Sequence, residues 1–381
     1  MSVKSEEQTE QFVLLFPIPQ RVILLVLVGL WLWQWQLVLL SKKIDITRII
    51  LTMDPYDIHP QPSKAKLIQS TKSCVTTITK IILPWHILTV FLLSQATQDK
   101  YGTSVWLVGL INISPLLQLI TIGALLFSSS TMLQRCFKNI ICLGNIEPKP
   151  LRTNYILISD TLTSYGKPMI DYGLYLCQLI TNPVGTDCII RKDPLGISLN
   201  LDLMIGITPA TIRLIQCLRE YKRSTSSADA RAALFNALKY SCQFPILVYT
   251  VVTRAYPGET PSANIYWLLL LNSMYTFWWD LTMDWKFGFF NFTNSGMKLN
   301  EVSRAQRHFS IKTCYCAIFV DFILRFAWLW ELVSGVSVFK GEMNVFWLQF
   351  LEIVRRWIWI FFKVEAEYLS LQGAFTEKAQ D

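Results

Sequence analysis

The chain has 381 residues, 52% hydrophobic and only 16% charged, with a net charge of +8 and a mean hydropathy of +0.35. Soluble domains carry about 25% charged residues, so this composition excludes a water-soluble globular protein; 14 Trp, 14 Tyr and 22 Phe suit the interfaces of a polytopic membrane protein. The basic residues fall mostly in alternate connections between apolar runs, so they report membrane topology rather than nucleic-acid binding.

In chain order, the acidic Met1–Gln11 does not resemble a signal peptide, and the first apolar run, Ile18–Leu40, is expected to be a retained anchor. Pro17 and Pro19 suit its entry, and Trp31, Trp33 and Trp35 an interfacial belt. A polar connector, Asp54–Lys72, precedes a second span, Ser73–Leu93, with Pro84 as its expected kink. The third span is Ser104–Phe127, and the basic stretch Gln134–Arg152 is expected to lie along the membrane surface. The fourth, Tyr155–Ile180, holds Asp160, Thr161, Thr163, Ser164, Lys167 and Asp171. No lipid-facing helix has that composition, so a buried helix broken near Pro168 is expected. Spans five to nine are read at Leu199–Leu218, Ala233–Val252, Asn264–Trp285, Thr313–Val333 and Asn344–Val364.

This is an all-α polytopic fold of about nine transmembrane helices. Three occupy an N-terminal region, 1–150; six form a C-terminal bundle, 151–370; and 371–381 is a tail. Lys and Arg concentrate in the connections after spans one, three, five and seven, which places the N-terminus on the lumenal side and the C-terminus in the cytosol. No Walker A sequence or Gly-rich phosphate loop occurs, so any transport is expected to follow a gradient, and no enzymatic activity, cofactor or metal is expected.

The chemistry-bearing residues lie inside the last spans. A charge at mid-membrane costs about 3 kcal/mol or more, so such groups pair, face the bundle interior or line a polar route. Three successive segments carry them: Asp280 and Asp284; Asp321, Arg325 and Glu331; and Glu352, Arg355 and Arg356. With Lys239, the arginines make a candidate oxyanion site, because guanidinium forks match phosphate or carboxylate oxygens. Tyr240 would add a hydroxyl and Trp328 an aromatic wall. Asp160, Asp280, Asp284 and Asp321 would hold the cations in place and keep the cavity near neutral, so that an anion binds but also leaves. Asp280/Asp284 and Asp321/Arg325 each share a helix face, whereas Arg355 and Arg356 point about 100° apart, so one of them is expected to face the pathway.

Plainer readings stand beside this one. Asp321–Arg325 is also readable as an intrahelical pair, Arg355 or Arg356 as snorkelling to the interface, Lys239 as a first-turn residue near headgroups, and Asp280/Asp284 as a divalent-cation site of a membrane transferase.

Several motifs together carry a resemblance. Arg213-Leu-Ile-Gln-Cys-Leu-Arg219-Glu-Tyr221, Asn236-Ala-Leu-Lys239-Tyr240-Ser241, Trp279-Asp280-Leu-Thr-Met-Asp284-Trp285, Asp321-Phe-Ile-Leu-Arg325-Phe-Ala-Trp328 and Leu351-Glu352-Ile-Val-Arg355-Arg356-Trp357-Ile-Trp359 occur in order over roughly 150–370. This pattern resembles the EXS-domain family of eukaryotic phosphate exporters, in particular a short fungal Golgi branch without the SPX domain that senses inositol pyrophosphates. The resemblance implies that lumenal phosphate, a by-product of glycosylation, returns to the cytosol, and that the protein supports retention of ER lumenal proteins and recycling of glycosyltransferases. It implies phosphate contact by Lys239, Tyr240, Arg325, Trp328, Arg355 and Arg356, with Asp160, Thr163, Asp280, Asp284 and Asp321 along the path. The family often has Asn where this chain has Thr163, which keeps one hydroxyl but not the amide geometry.

The expected partners are inorganic phosphate, membrane lipid, glycosyltransferases with their coat adaptor, and a second copy as a candidate homodimer, but no nucleic acid. The competing reading is a non-transporting sorting factor whose intramembrane charges are structural.

Overall fold

A computed structural model describes residue 12 and residues 16–50, 62–98, 104–141, 149–185, 201–255, 264–287, 307–329 and 341–378. Every regular element among them is helical: α1 (Ile18–Ser41), α2 (Lys64–Gln98), α3 (Val105–Ser129), α4 (Thr131–Ile141), α5 (Lys149–Ser164), α6 (Gly166–Thr181), α7 (Leu201–Arg223), α8 (Ser227–Ser241), α9 (Gln243–Ala255), α10 (Asn264–Trp279), α11 (Ile311–Arg325) and α12 (Gly341–Lys378). A 3₁₀ turn (Ile46–Arg48) follows α1, and a π-turn (Asp280–Asp284) continues α10.

Four of these helices are long and apolar enough to cross a membrane: Ile18–Ser41, Lys64–Ala96, Val105–Ser129 and Leu201–Arg223. Only 28–33% of their apolar windows is buried inside the protein, so the remainder faces an apolar surround. Trp106 is 85% exposed, Trp267 65% and Phe319 63%, a surface that water would not tolerate on this scale. The protein is an all-α, multi-pass membrane protein. The five other expected spans fall on interrupted or charge-bearing helices.

Their interruptions follow from local chemistry. The fourth span divides at Tyr165, three residues before Pro168; the proline sits in the first turn of α6, where its missing N–H costs nothing. The sixth divides at Cys242 into α8 and α9. The helix of the eighth ends at Arg325, and Glu331 lies outside the described residues. Pro84 and Pro115 lie inside α2 and α3. Those helices are bound near their prolines by the Thr89 and Ser114 hydroxyls, 2.9 Å apart, and by Gln118, whose Nε2 donates to both. α4 buries Met132, Cys136 and Ile140, one helical face, against Tyr155.

The helix that orders the rest is α12. It packs on α1, α5, α11 and the π-turn. The Trp357 indole donates to the Leu32 carbonyl (2.9 Å), Gln36 Nε2 donates to the Trp357 carbonyl (2.9 Å), and Trp35 stacks on Trp357 with centroids 5.0 Å apart. Trp35 is thus both half-exposed belt residue and helix contact. The largest apolar cluster joins Leu37 and Leu40 of α1 to Trp285, Phe287, Trp359 and Phe362. The first helix therefore packs directly against the last.

Candidate functional site

Four helices, α8, α10 with its π-turn, α11 and α12, bring charge to one buried place. The π-turn after Trp279 closes with Trp285 N–H donating to the Asp280 carbonyl at 2.8 Å, a bond spanning five residues. The wider turn sets both Asp280 and Asp284 towards α8, where Lys239 Nζ donates to Asp280 Oδ1 (3.0 Å) and to Asp284 Oδ2 (3.2 Å). On α11, Arg325 donates to Asp280 Oδ2, to Thr276 Oγ1 (2.6 Å) and, within its own helix, to Asp321 Oδ2 (3.4 Å). On α12, Arg355 holds Glu352 in a two-point bond (2.6 and 2.8 Å), and its Nη1 lies 3.3 Å from Asp321 and 3.5 Å from Asp280. Asp280 and Asp321 are each 1% exposed, so these charges persist only because each meets an opposite one.

The cluster extends in two directions. Towards the α12 C-terminus, Lys363 Nζ bridges Asp284 (3.1 Å) and Glu367 (3.0 Å). Towards α5 and α7, Asp160 accepts from the Tyr240 hydroxyl (2.5 Å) and pairs with Arg213 Nε (2.6 Å), whose guanidinium stacks 4.9 Å over the Tyr240 ring.

Arg356 differs from every other cation here. Its Nε donates to Ser164 Oγ (2.9 Å) and its Nη2 to Thr163 Oγ1 (3.1 Å), and its carbon lies 4.7 Å over the Trp359 ring. It forms no ion pair among the described residues, and Nη1 is buried without a partner. The single protons of these hydroxyls go to the Asp160 carbonyl (Thr163) and to Glu352 Oε1 (Ser164), so the donor left for an oxyanion is the bare guanidinium N–H.

The comparisons with known proteins agree with this architecture. The profile of the EXS family matches residues 16–369. The chain belongs to the EXS family. It is 42% identical over 375 residues to Protein ERD1 of Kluyveromyces lactis, covering 96% of this chain and 97% of that protein. It is 35% identical over 384 residues to Protein ERD1 of Saccharomyces cerevisiae, covering 96% and 98%. A shorter match, 34% over 179 residues, joins it to a xenotropic and polytropic retrovirus receptor 1 homolog of Danio rerio, covering 45% of this chain and 25% of that protein. The EXS match takes in α1 to α3 as well as the helices that carry the motifs.

In this EXS-family chain the residues singled out in the sequence come together unevenly. Lys239, Asp280, Asp284, Asp321, Arg325 and Arg355 form one ion-paired cluster, while Asp160 and Tyr240 join through Arg213. Trp328 lies against α10, its indole donating to Ser273 Oγ at 3.1 Å. Thr163 accepts from Arg356 and donates to the Asp160 carbonyl (2.7 Å). Three plainer readings need correction. Arg355 and Arg356 are 4% and 8% exposed, so neither snorkels to an interface. Lys239 sits in the last turn of α8, buried, not in a first turn near headgroups. The space between Asp280 and Asp284 holds the Lys239 ammonium, which meets the charge that a divalent cation would otherwise meet.

Arg213 and Lys363 also belong to the cluster, though neither is among the expected site residues: Arg213 opens the first of the motifs, and Lys363 lies at the end of the ninth expected span. For Arg213 a signal existed: it lies ten residues inside the end of α7, too deep for an interfacial charge.

Proposed function

We propose that this EXS-family protein is a transporter or channel for inorganic phosphate in the Golgi membrane. It moves phosphate released by lumenal glycosylation to the cytosol and so supports retention of ER lumenal proteins. Glycosyltransferases and their coat adaptor are its protein partners in recycling, and its N-terminus faces the lumen. The observation that carries this reading is Arg356, an unpaired buried guanidinium with a free N–H beside the Thr163 and Ser164 hydroxyls. The neighbouring cations are matched by carboxylates, so an arriving anion meets attraction without a deep trap. Arg325 and Arg355 are close enough in the cluster to share the anion as it passes, by exchanging their hold on Asp280.

A sorting factor that transports nothing is favoured by the completeness of the same ion pairing, which suits a purely structural role. The two readings separate in proteoliposomes loaded with phosphate. Wild-type protein is expected to pass phosphate, and Arg356→Ala to lose at least tenfold of that flux while keeping the wild-type melting behaviour; Arg325→Ala, which takes a cation from buried Asp280 and Asp321, is expected to lower both flux and melting temperature. Absence of flux from folded, correctly inserted wild-type protein would sink the transport reading and leave the sorting role.

A further inference from the structure

A cavity of about 860 Å³ opens between α1, α2 and α3 on one side and α5, α6 and α12 on the other. It touches the charged cluster only at its wall, through Arg356 and Ser164. Its lining is divided. Val26, Leu30, Leu119, Leu126, Met169 and Ile360 give it an apolar lining. Lys66, Ser70 and Thr71 from the start of α2 meet Ser129, Ser130 and Thr131 from the α3–α4 junction. The two helices meet near this rim one turn beyond Ser70, where Cys74 Sγ lies 3.3 Å from Ser129 Oγ. The polar rim therefore sits at the membrane surface where α2 begins and α3 ends, and the apolar part reaches towards mid-membrane.

Such a shape is poorly suited to water or to a free anion. Water along the apolar wall would leave hydrogen bonds unmade, and an oxyanion there would lose its hydration without replacement. The volume lies within the roughly 300–1,000 Å³ of small-molecule sites. We infer that one membrane phospholipid occupies this cavity, with an acyl chain along the apolar wall and its headgroup phosphate at the rim. Lys66 supplies the charge, Ser70, Thr71 and Thr131 supply hydroxyls, and the N-terminal end of α4 points its dipole at the phosphate. The lipid chain walls Arg356 off from the bilayer on that side. The site is independent of the transport reading, and its test does not involve flux.

The test uses the full-length protein, reconstituted in nanodiscs of phosphatidylcholine with phosphatidylserine, released into mild detergent and weighed intact by native mass spectrometry. One retained phospholipid per chain is expected. Cys74→Trp and Leu126→Trp, which fill the cavity from two different helices, are each expected to lower its occupancy at least tenfold. Lys66→Gln is expected to lower it about fivefold, the effect of one basic residue near a membrane surface. A thermal melt identifies a filling variant that fails to fold, and the other variant then decides. A folded wild type that retains no phospholipid overturns the proposal. So does retention indifferent to all three substitutions, which would place the lipid elsewhere. Cross-links from residues 51–61 into the cavity would assign it to the chain itself and also overturn the proposal.

Discussion

Arg356 and Arg213 are both buried arginines, yet their removal should have opposite consequences. Arg213 is the ion-pair partner of Asp160, and both are almost fully buried. Arg213→Ala leaves a carboxylate without its cation, a change that costs about 3–5 kcal/mol. A clear fall in the melting temperature of the purified protein is expected. Arg356 has no carboxylate partner among the described residues, so Arg356→Ala takes a donor only from the Thr163 and Ser164 hydroxyls, and Ser164 can still donate to Glu352 Oε1 at 3.0 Å. Its melting temperature should stay near wild type while phosphate binding falls. Thr163→Val, nearly isosteric, bares a second guanidinium N–H. It is expected to change phosphate KM more than melting temperature, measured by flux against phosphate concentration. If Arg356→Ala unfolds the protein as Arg213→Ala does, the distinction between the two arginines fails.

At the scale of the helix, two glycines decide how closely α6 and α7 approach. A Cβ on Gly206 would lie 2.2 Å from Ile170 Cγ1 and 3.1 Å from the Gly166 carbonyl oxygen; one on Gly173 would lie 2.9 Å from the Asp202 Cα. Small residues at such contacts let helix backbones pack closely where no hydrophobic effect drives them together. Gly206→Val is expected to destabilise by about 1–3 kcal/mol, the usual range for overpacking. Gly123 in α3 has open space around it, so Gly123→Ala should be neutral or stabilising by up to ~1 kcal/mol. Parallel melts of the two variants check the pair. The π-turn belongs to this scale as well: its wider bond places Asp280 and Asp284 on Lys239 together, and no periodicity in Asp280-Leu-Thr-Met-Asp284 announces it.

For the whole molecule, α12 is the common partner. Beyond the charged cluster, its Glu365, 0% exposed, accepts from Arg307 Nη1 (2.9 Å) and from the backbone N–H groups of His308 (2.7 Å) and Phe309 (2.9 Å). Arg307 in turn donates to the Trp285 and Lys286 carbonyls (2.7 and 3.0 Å). One carboxylate thus ties the end of α10 and the entry to α11 onto α12. Glu365→Ala leaves Arg307 Nη1 without its carboxylate and two amides without an acceptor and is expected to cost about 3–5 kcal/mol. Hydrogen exchange should then rise together at 307–309 and around Trp285. A rise confined to α12 would show that the clamp does not couple these elements.

The sequence by itself determined the class of the fold, an all-α membrane protein, because apolar runs of bilayer length are a local property. It also selected most of the charged residues that gather in the cluster, since a charge inside an apolar run stands out wherever it points. Its helix breaks were legible in kind but not in place: Pro168 marked the fourth span, yet the chain turns at Tyr165, where the proline can serve as a helix start. Pairing was decided only by the tertiary structure. Asp321 and Arg325 look like a sufficient pair in the sequence, but Arg325 reaches Asp280 across two helices and Arg355 takes part of Asp321. Arg355 and Arg356 are neighbours in the chain and alike in composition. The helix turns about 100° between them, one into carboxylates and one into hydroxyls. That difference depends on what meets each guanidinium, for Arg356 a hydroxyl 193 residues away, and no local pattern encodes it.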